Sequence, residues 1–263
     1  MAYILTDRID IPGLNPRARY FSRLSARSAL YTELQLVLDG CRSALRVQAY
    51  RSLVIEENCL ARPSISTRRK LWKELHSRFR LDANDALFKI FWAEWHRCTS
   101  DQERGLTAYV LLALNDRLVA DLGVEWLFPL LRRAPAELRV PDVRAFIEHA
   151  AGRHPEVLRW SEETTSAVAQ KYCASIRDFG LAKGTTKKVT VRPSLYGAPV
   201  RLLLRALRLV GTADLDILRH RIFRLLAIDV PEVVDALGEL NRLEQIRFRM
   251  QGDVVELDLR AVA

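Results

Sequence analysis

The chain has 263 residues, 49% of them hydrophobic and 28% charged, a balance in the usual globular range that supplies a sizeable core and excludes a largely disordered chain. Its longest apolar runs, such as 109–114, fall well short of the roughly 18 residues of a membrane helix. The opening MAYILTDRIDIPG places acids where a secretion signal needs an apolar stretch, so the expected setting is the cytoplasm. The formal net charge of +9 is laid out unevenly. Residues 1–80 hold fifteen Lys/Arg against seven Asp/Glu, and 161–210 hold nine against three. Residues 81–160 hold ten against twelve, and 211–263 seven against ten. Two basic blocks of this kind point to a phosphate backbone, and they would also attract an acidic protein partner.

Cys41, Cys59, Cys98 and Cys173 form no C-x-x-C pair, which argues against zinc and for buried free thiols. His149 and His154 are five apart and fall on different sides of a helix. No metal site and no cofactor is expected.

In chain order, a first helical pattern over 16–29 carries Arg17, Arg19, Arg23 and Arg27. A second, with Leu34, Leu38, Leu45 and Val47, breaks near Gly40, and a third runs over 51–60. Residues 61–64 turn the chain, because Pro63 disfavours helix in the residue before it. Then comes SISTRRKLWKELHSRF, 64–79. Ser64 or Ser66 can cap its helix. Leu71, Leu75 and Phe79 repeat every four residues, with Trp72 beside them, as a buried stripe. Arg69, Lys73, His76 and Arg80 lie on another continuous face, with Arg68 and Lys70 alongside. A short helix, a tight turn and a second helix with basic residues in its first turns is a helix-turn-helix arrangement, which sets the second helix in the major groove. The other reading of this face is the wet side of an ordinary amphipathic helix.

Residues 84–157 are helical and rich in large apolar side chains, a scaffold whose aromatics fall at core spacing. Pro129 should kink or end one of these helices, and Pro141 with Asp142 should start another. Ser161 opens a further helix that stops at Gly180. LAKGTTKKVTVRP, 181–193, reads as a hairpin with Lys183, Lys187 and Lys188 at its tip and Arg192 just beyond. A helix followed by such a hairpin resembles a DNA-binding wing, and a surface hairpin with exposed lysines is the alternative. Helices are expected around 196–210, with Arg201, Arg205 and Arg208 along one side, and around 213–227. QIRFRMQGDVVELDL, 245–259, reads as a second hairpin turning at Gly252-Asp253. In that register Met250 meets Val255, Phe248 meets Leu257 and Ile246 meets Leu259, while Arg249 faces Glu256 and Arg247 faces Asp258. This hairpin is read as structural because its arginines have carboxylates opposite, which the first hairpin lacks.

LVIEENCLARPSISTRRKLWKELHSRF, 53–79, resembles the N-terminal signature of the BrxA family of BREX phage-defence systems. SIRDFGLAKGTTKKVTVRPSLYGAPVRLLL, 175–204, is similar to that family's second block. The resemblance implies a largely helical protein that binds DNA beside other BREX proteins and performs no catalysis of its own. It fixes no DNA contact by motif, so the candidate residues rest on charge and helical geometry.

No P-loop, dinucleotide fingerprint, zinc-protease motif or nucleophile elbow is present. Asp178-Phe179-Gly180 lacks the H-R-D that a kinase triplet requires, and Glu56-Glu57 and Glu162-Glu163 are helix neighbours that do not face one another. No enzyme and no catalytic residue is therefore expected. The rivals are a helical adaptor holding other defence subunits, and an RNA-binding module. The chain shows no interleaving of surface aromatics with basic residues of the kind that base-stacking modules display, which ranks RNA below duplex DNA.

The expected fold is mainly α: a helix-turn-helix-like unit over 1–82, a helical scaffold over 83–160, and a winged-helix-like region with two β-hairpins over 161–263. The expected function is non-enzymatic binding of double-stranded DNA, mainly through phosphates and with weak sequence preference. Arg68, Arg69, Lys70, Lys73 and Arg80 form one contact region, and Lys183, Lys187, Lys188 and Arg192 the other.

Overall fold

The computed structural model describes residues 9–194 and 197–259. Residues 1–8, used above to judge the N-terminus, and Tyr196, placed above in a helix, lie outside them. The chain is mainly α. Helices α1 (Tyr31–Asp39), α2 (Val47–Ile55), α3 (Ile65–Phe79), α4 (Ala86–Trp95) and α5 (Asp101–Asn115) lead into α6 (Arg117–Asp121). A π-helical stretch, Leu122–Leu127, joins α6 to α7 (Phe128–Arg132), followed by α8 (Val140–His149) and α9 (Glu162–Asp178). Strands β1 (Ala182–Lys183) and β2 (Val189–Thr190) precede α10 (Gly197–Leu209), α11 (Asp214–Leu218) and α12 (Val233–Arg242). Strands β3 (Arg247–Gln251) and β4 (Val254–Asp258) close the described chain. Among the described residues, no helix is long and apolar enough to cross a membrane.

Helix α5 is the axis of the molecule. Its residues 105–115 are buried all round, and α3, α4, α6 and α10 pack against it. Close approach requires glycine at two places. A Cβ at Gly105 would stand 2.7 Å from the Phe179 carbonyl oxygen at the end of α9, and one at Gly13 would stand 2.2 Å from that of Ala113. One continuous core draws on all three expected segments, through Leu34 and Leu75, then Trp95 and Leu111, then Tyr172, Leu203 and Leu237.

Several elements match their local chemistry. Gly40 ends α1, Ser161 Oγ accepts from the Thr164 amide at the start of α9, and Gly180 turns left-handed at φ 82°. The amides of Gly180 and Leu181 then close back on the carbonyls of Arg177 and Ile176, satisfying the last turn of α9. Strands β3 and β4 pair Phe248 with Leu257, Met250 with Val255, Arg249 with Glu256 and Arg247 with Asp258, the expected register, about Gly252 at φ 59°. Ile246 is buried, though the ladder itself begins at Arg247.

Other elements depart from expectation. Residues 16–29 are not an α-helix but an irregular strap, with a turn at 16–17 closed by the Ala18 amide on the Asn15 carbonyl and a 3₁₀ turn at Arg23–Ser25. The pattern expected over 51–60 stops at Ile55, where the backbone turns left-handed at Asn58 and Ala61. The helix expected over 213–227 is broken at residues 219–220, where His220 Nδ1 accepts from the Ile222 amide and restarts the chain as a 3₁₀ turn. Upstream of Pro129 the helix widens to π spacing, with the Phe128 amide reaching the Gly123 carbonyl, instead of ending or kinking sharply. All four cysteines are free, but only Cys41 and Cys173 are buried.

The arginine side of α10 faces inward. Glu94 on α4 is 0% exposed and collects Arg201 at 2.8 Å with Arg97 and Arg205 at 3.4 Å each. Arg205 and Arg208 also donate to the carbonyls of Leu259 and Leu257, at 2.9 and 2.7 Å, and Arg208 pairs with Asp214. These cations fasten β4 and α4 to α10. Removing the shared carboxylate leaves a buried guanidinium uncompensated, so Glu94→Ala is expected to cost about 3–5 kcal/mol of stability. Urea unfolding followed by circular dichroism checks this, and an unchanged midpoint would refute the role assigned to Glu94.

Candidate nucleic-acid interface

Helix α3 begins at Ser64, whose backbone is extended (φ −106°, ψ 142°) and whose Oγ accepts from the Thr67 amide at 3.1 Å. Leu71, Leu75 and Phe79 are fully buried, each contributing roughly 1.5–3 kcal/mol. Their common face fixes the helix rotation.

The partner of α3 is α2, but not in helix-turn-helix geometry. Arg68 Nη1 donates to the Ile55 carbonyl at 2.6 Å, so the end of α2 meets the start of α3. At the other end, the Val47 amide donates to Asp82 Oδ1 at 3.3 Å and the Ala83 amide to the Leu45 carbonyl at 2.7 Å. The two helices therefore run antiparallel, joined by the nine residues 56–64 where a helix-turn-helix uses about three or four. The expected tight turn is replaced by a longer connection, held by the Arg62 amide on Asn58 Oδ1 at 2.8 Å.

With its inner face fixed in this way, α3 presents Ser66, Arg69, Lys70 and Lys73 to solvent. They sit at i, i+3, i+4 and i+7, one unbroken stripe over the first half of the helix. Arg69, Lys70 and Lys73 have no partner among the described residues. The other members of the expected face are occupied. Arg68 holds Ile55, and Arg80, in a left-handed conformation after the last turn, pairs with Asp85 at 3.0 Å. The His76 ring stacks on Trp72 at 5.1 Å. Burial, with Asp82 opposing and Arg80 assisting, keeps its pKa below the ordinary imidazole value. The charged form of His76 is thereby disfavoured beside the stripe.

The second basic group sits on β1 and β2. Ala182 pairs with Thr190 and Lys183 with Val189. The far edge of β2 is covered: the Leu138 amide donates to the Lys188 carbonyl and the Thr190 amide to the Ala136 carbonyl, both at 2.8 Å. This hairpin is therefore built into the scaffold next to α8. Its cations also have partners that sequence did not reveal. Lys187 reaches Glu137 at 3.3 Å and Lys188 Nζ donates to the Thr185 carbonyl at 3.0 Å, while Arg192 is exposed. Lys183 is exposed and unpartnered. The two groups stand on different supports, α3 on α2 and α5, the hairpin on α9 and residues 136–138.

Sequence reasoning missed Ser66 as a member of the stripe, although its i−3 spacing from Arg69 marks it. It also missed the strap. There Arg17, Arg19 and Phe21 are exposed while Tyr20 is buried, an alternation with period two that helical periodicity obscured. One exposed aromatic, Phe21, thus stands among basic side chains on this surface.

No curated protein matches the chain. A family model does: BrxA, over residues 18–206, which takes in the strap from Ala18 onward, α3 and the β1–β2 hairpin. That match spans more than half of the sequence, so the chain belongs to the BrxA family and is a BREX-associated component.

Proposed function

We propose that the chain is a non-catalytic DNA-binding component of its BREX system, acting in the cytoplasm and gripping duplex phosphates through Arg69, Lys70 and Lys73. The observation that carries this reading is the contrast in how the protein uses its cations. Arg68, Arg80, Arg201, Arg205 and Arg208 are each committed to an internal partner. The three on the outer stripe of α3 stand side by side with none. A cluster of unneutralised cations on a rigid helix is destabilised by self-repulsion and relieved by an anionic polymer.

Weak sequence preference follows from the same residues. Lys70 and Lys73 are point charges, and Arg69 alone carries the planar fork that reads guanine. Contacts to phosphate position the protein without selecting a sequence. Lys183 and Arg192 supply a second, smaller contact, with Lys187 and Lys188 contributing to the extent that their local partners release them.

An acidic protein would be drawn to the same stripe, which is the adaptor reading, and titration of DNA binding against salt separates the two. Removing one cation from a phosphate should flatten the slope of log affinity against log salt by about 0.9. Replacing Arg69, Lys70 and Lys73 by alanine is therefore expected to reduce that slope by about 2.7 and to weaken unrelated duplexes alike. Lys183→Ala should remove at most about 0.9. Fluorescence anisotropy on several duplexes gives the readout. A loss confined to one DNA sequence, or no duplex binding at low salt, would reject the proposal. Because burial holds its pKa below the ordinary imidazole value, His76→Asn is expected to change duplex affinity by less than about twofold at pH 8.

A further inference from the structure

The strap that precedes α1 is anchored from within and armed on its outer side. Its inner anchor is Tyr20, whose ring stacks on His154 at 3.6 Å. The Tyr20 hydroxyl donates to Asp121 at 2.8 Å and its amide to Glu156 at 2.5 Å. Asp121 is itself gripped by Arg117 at 2.6 and 2.8 Å. Downstream, the carbonyls of Arg23, Arg27 and Ser28 accept from the buried guanidinium of Arg78. A segment with little regular structure is thereby anchored at Tyr20 and again at residues 23–28.

Alternation about Tyr20 sends Arg17, Arg19 and Phe21 outward. Phe21 is 46% exposed and is the one exposed aromatic among the described residues. The Arg23 guanidinium lies over its ring, 4.3 Å from the centroid. That guanidinium is in turn fixed by the Asn115 carbonyl at 3.3 Å and by Asp116 at 4.0 Å. The ring is therefore oriented by a cation behind it and still open to solvent. Arg17 and Arg19 have no side-chain partner among the described residues. Both are exposed and stand two residues apart on the outer side of the strap, Arg17 within the turn closed by the Ala18 amide on the Asn15 carbonyl at 3.1 Å.

We infer that Phe21 is a stacking platform for an unpaired nucleobase, with Arg17 and Arg19 holding the phosphates of the same strand. An aromatic ring flanked by cations is the arrangement that single-strand binders use, since every base offers a π-face. Within a duplex those faces are covered by neighbouring pairs, so a lone surface ring selects a base that is out of the stack. The site is separate from the α3 stripe and adds single-strand capture to the duplex reading above. Base stacking does not discriminate between ribose and deoxyribose, so the strand is defined here by its unpaired bases.

The test uses the full chain with oligothymidylate, oligouridylate, an abasic strand of equal length and a blunt duplex. Phe21→Ala is expected to weaken binding of at least one base-bearing strand about tenfold. Phe21→Trp should retain that binding, while abasic-strand and duplex affinities stay at the native value in both variants. An effect on oligothymidylate alone assigns the site to single-stranded DNA, on oligouridylate alone to RNA, and on both to unpaired bases of either. Arg17→Ala with Arg19→Ala should weaken base-bearing and abasic strands equally. Equal affinity of the native protein and Phe21→Ala for both base-bearing strands would overturn the inference, as would an equal loss on the abasic strand. Native affinity of Phe21→Ala for the abasic strand and the duplex shows that this variant is folded, and Phe21→Trp shows that the loss follows the ring. Running the α3 variant in parallel keeps the two readings apart: it should lose the duplex and keep its dependence on the bases of a single strand.

Discussion

Arg78 holds the N-terminal half of the molecule together. Its side chain is buried within α3, and it donates to three strap carbonyls and to Glu74 at 3.2 Å. Burial lowers its pKa from the ordinary guanidinium value, while Glu74 and Asp116 oppose the shift. A guanidinium has five donors in a fixed fork, and here they replace the backbone partners that helix or sheet would have given the strap. With Leu71, Leu75 and Phe79 facing the core and Arg78 facing the strap, the rotation of α3 is fixed. Arg69, Lys70 and Lys73 are left with no internal carboxylate within reach. The exposed charge is thus a consequence of how the inner side of the helix is satisfied.

The same logic explains what could be read in the sequence. The Ser64 cap, the four-residue repeat on α3, the Gly180 stop and the β3–β4 register all depend on neighbours in the chain, and all of them are found. What could not be read depends on partners far away. The arginines of α10 look like a basic surface until Glu94, 107 residues before Arg201, is seen beneath them. The lysines of the first hairpin look uncompensated until Glu137 is seen beside Lys187. The strap looks helical because its apolar residues, Tyr20, Leu24 and Ala29, are buried against other elements that impose their own spacing. Charge blocks in a sequence count cations, and only a structure shows which of them are free.

Membership of the BrxA family places the chain in BREX defence, and its geometry suggests a division of labour within one module. The outer stripe of α3 suits a duplex backbone. The strap, joined to α3 through Arg78, suits a strand whose bases are unpaired. Together, the two proposed contacts would suit the protein to a junction of paired and unpaired strands.

Lysine reactivity mapping tests the central claim most directly, because lysines are few and well distributed in this chain. Native protein would be acetylated with and without saturating duplex DNA, and the labelling rate at each lysine read by mass spectrometry. Shielding of Lys70 and Lys73, with Lys89 on α4 and Lys171 on α9 reacting as in the free protein, is the result predicted here. Unchanged labelling of Lys70 and Lys73 under saturating duplex would contradict it and return the stripe to the status of a solvated surface.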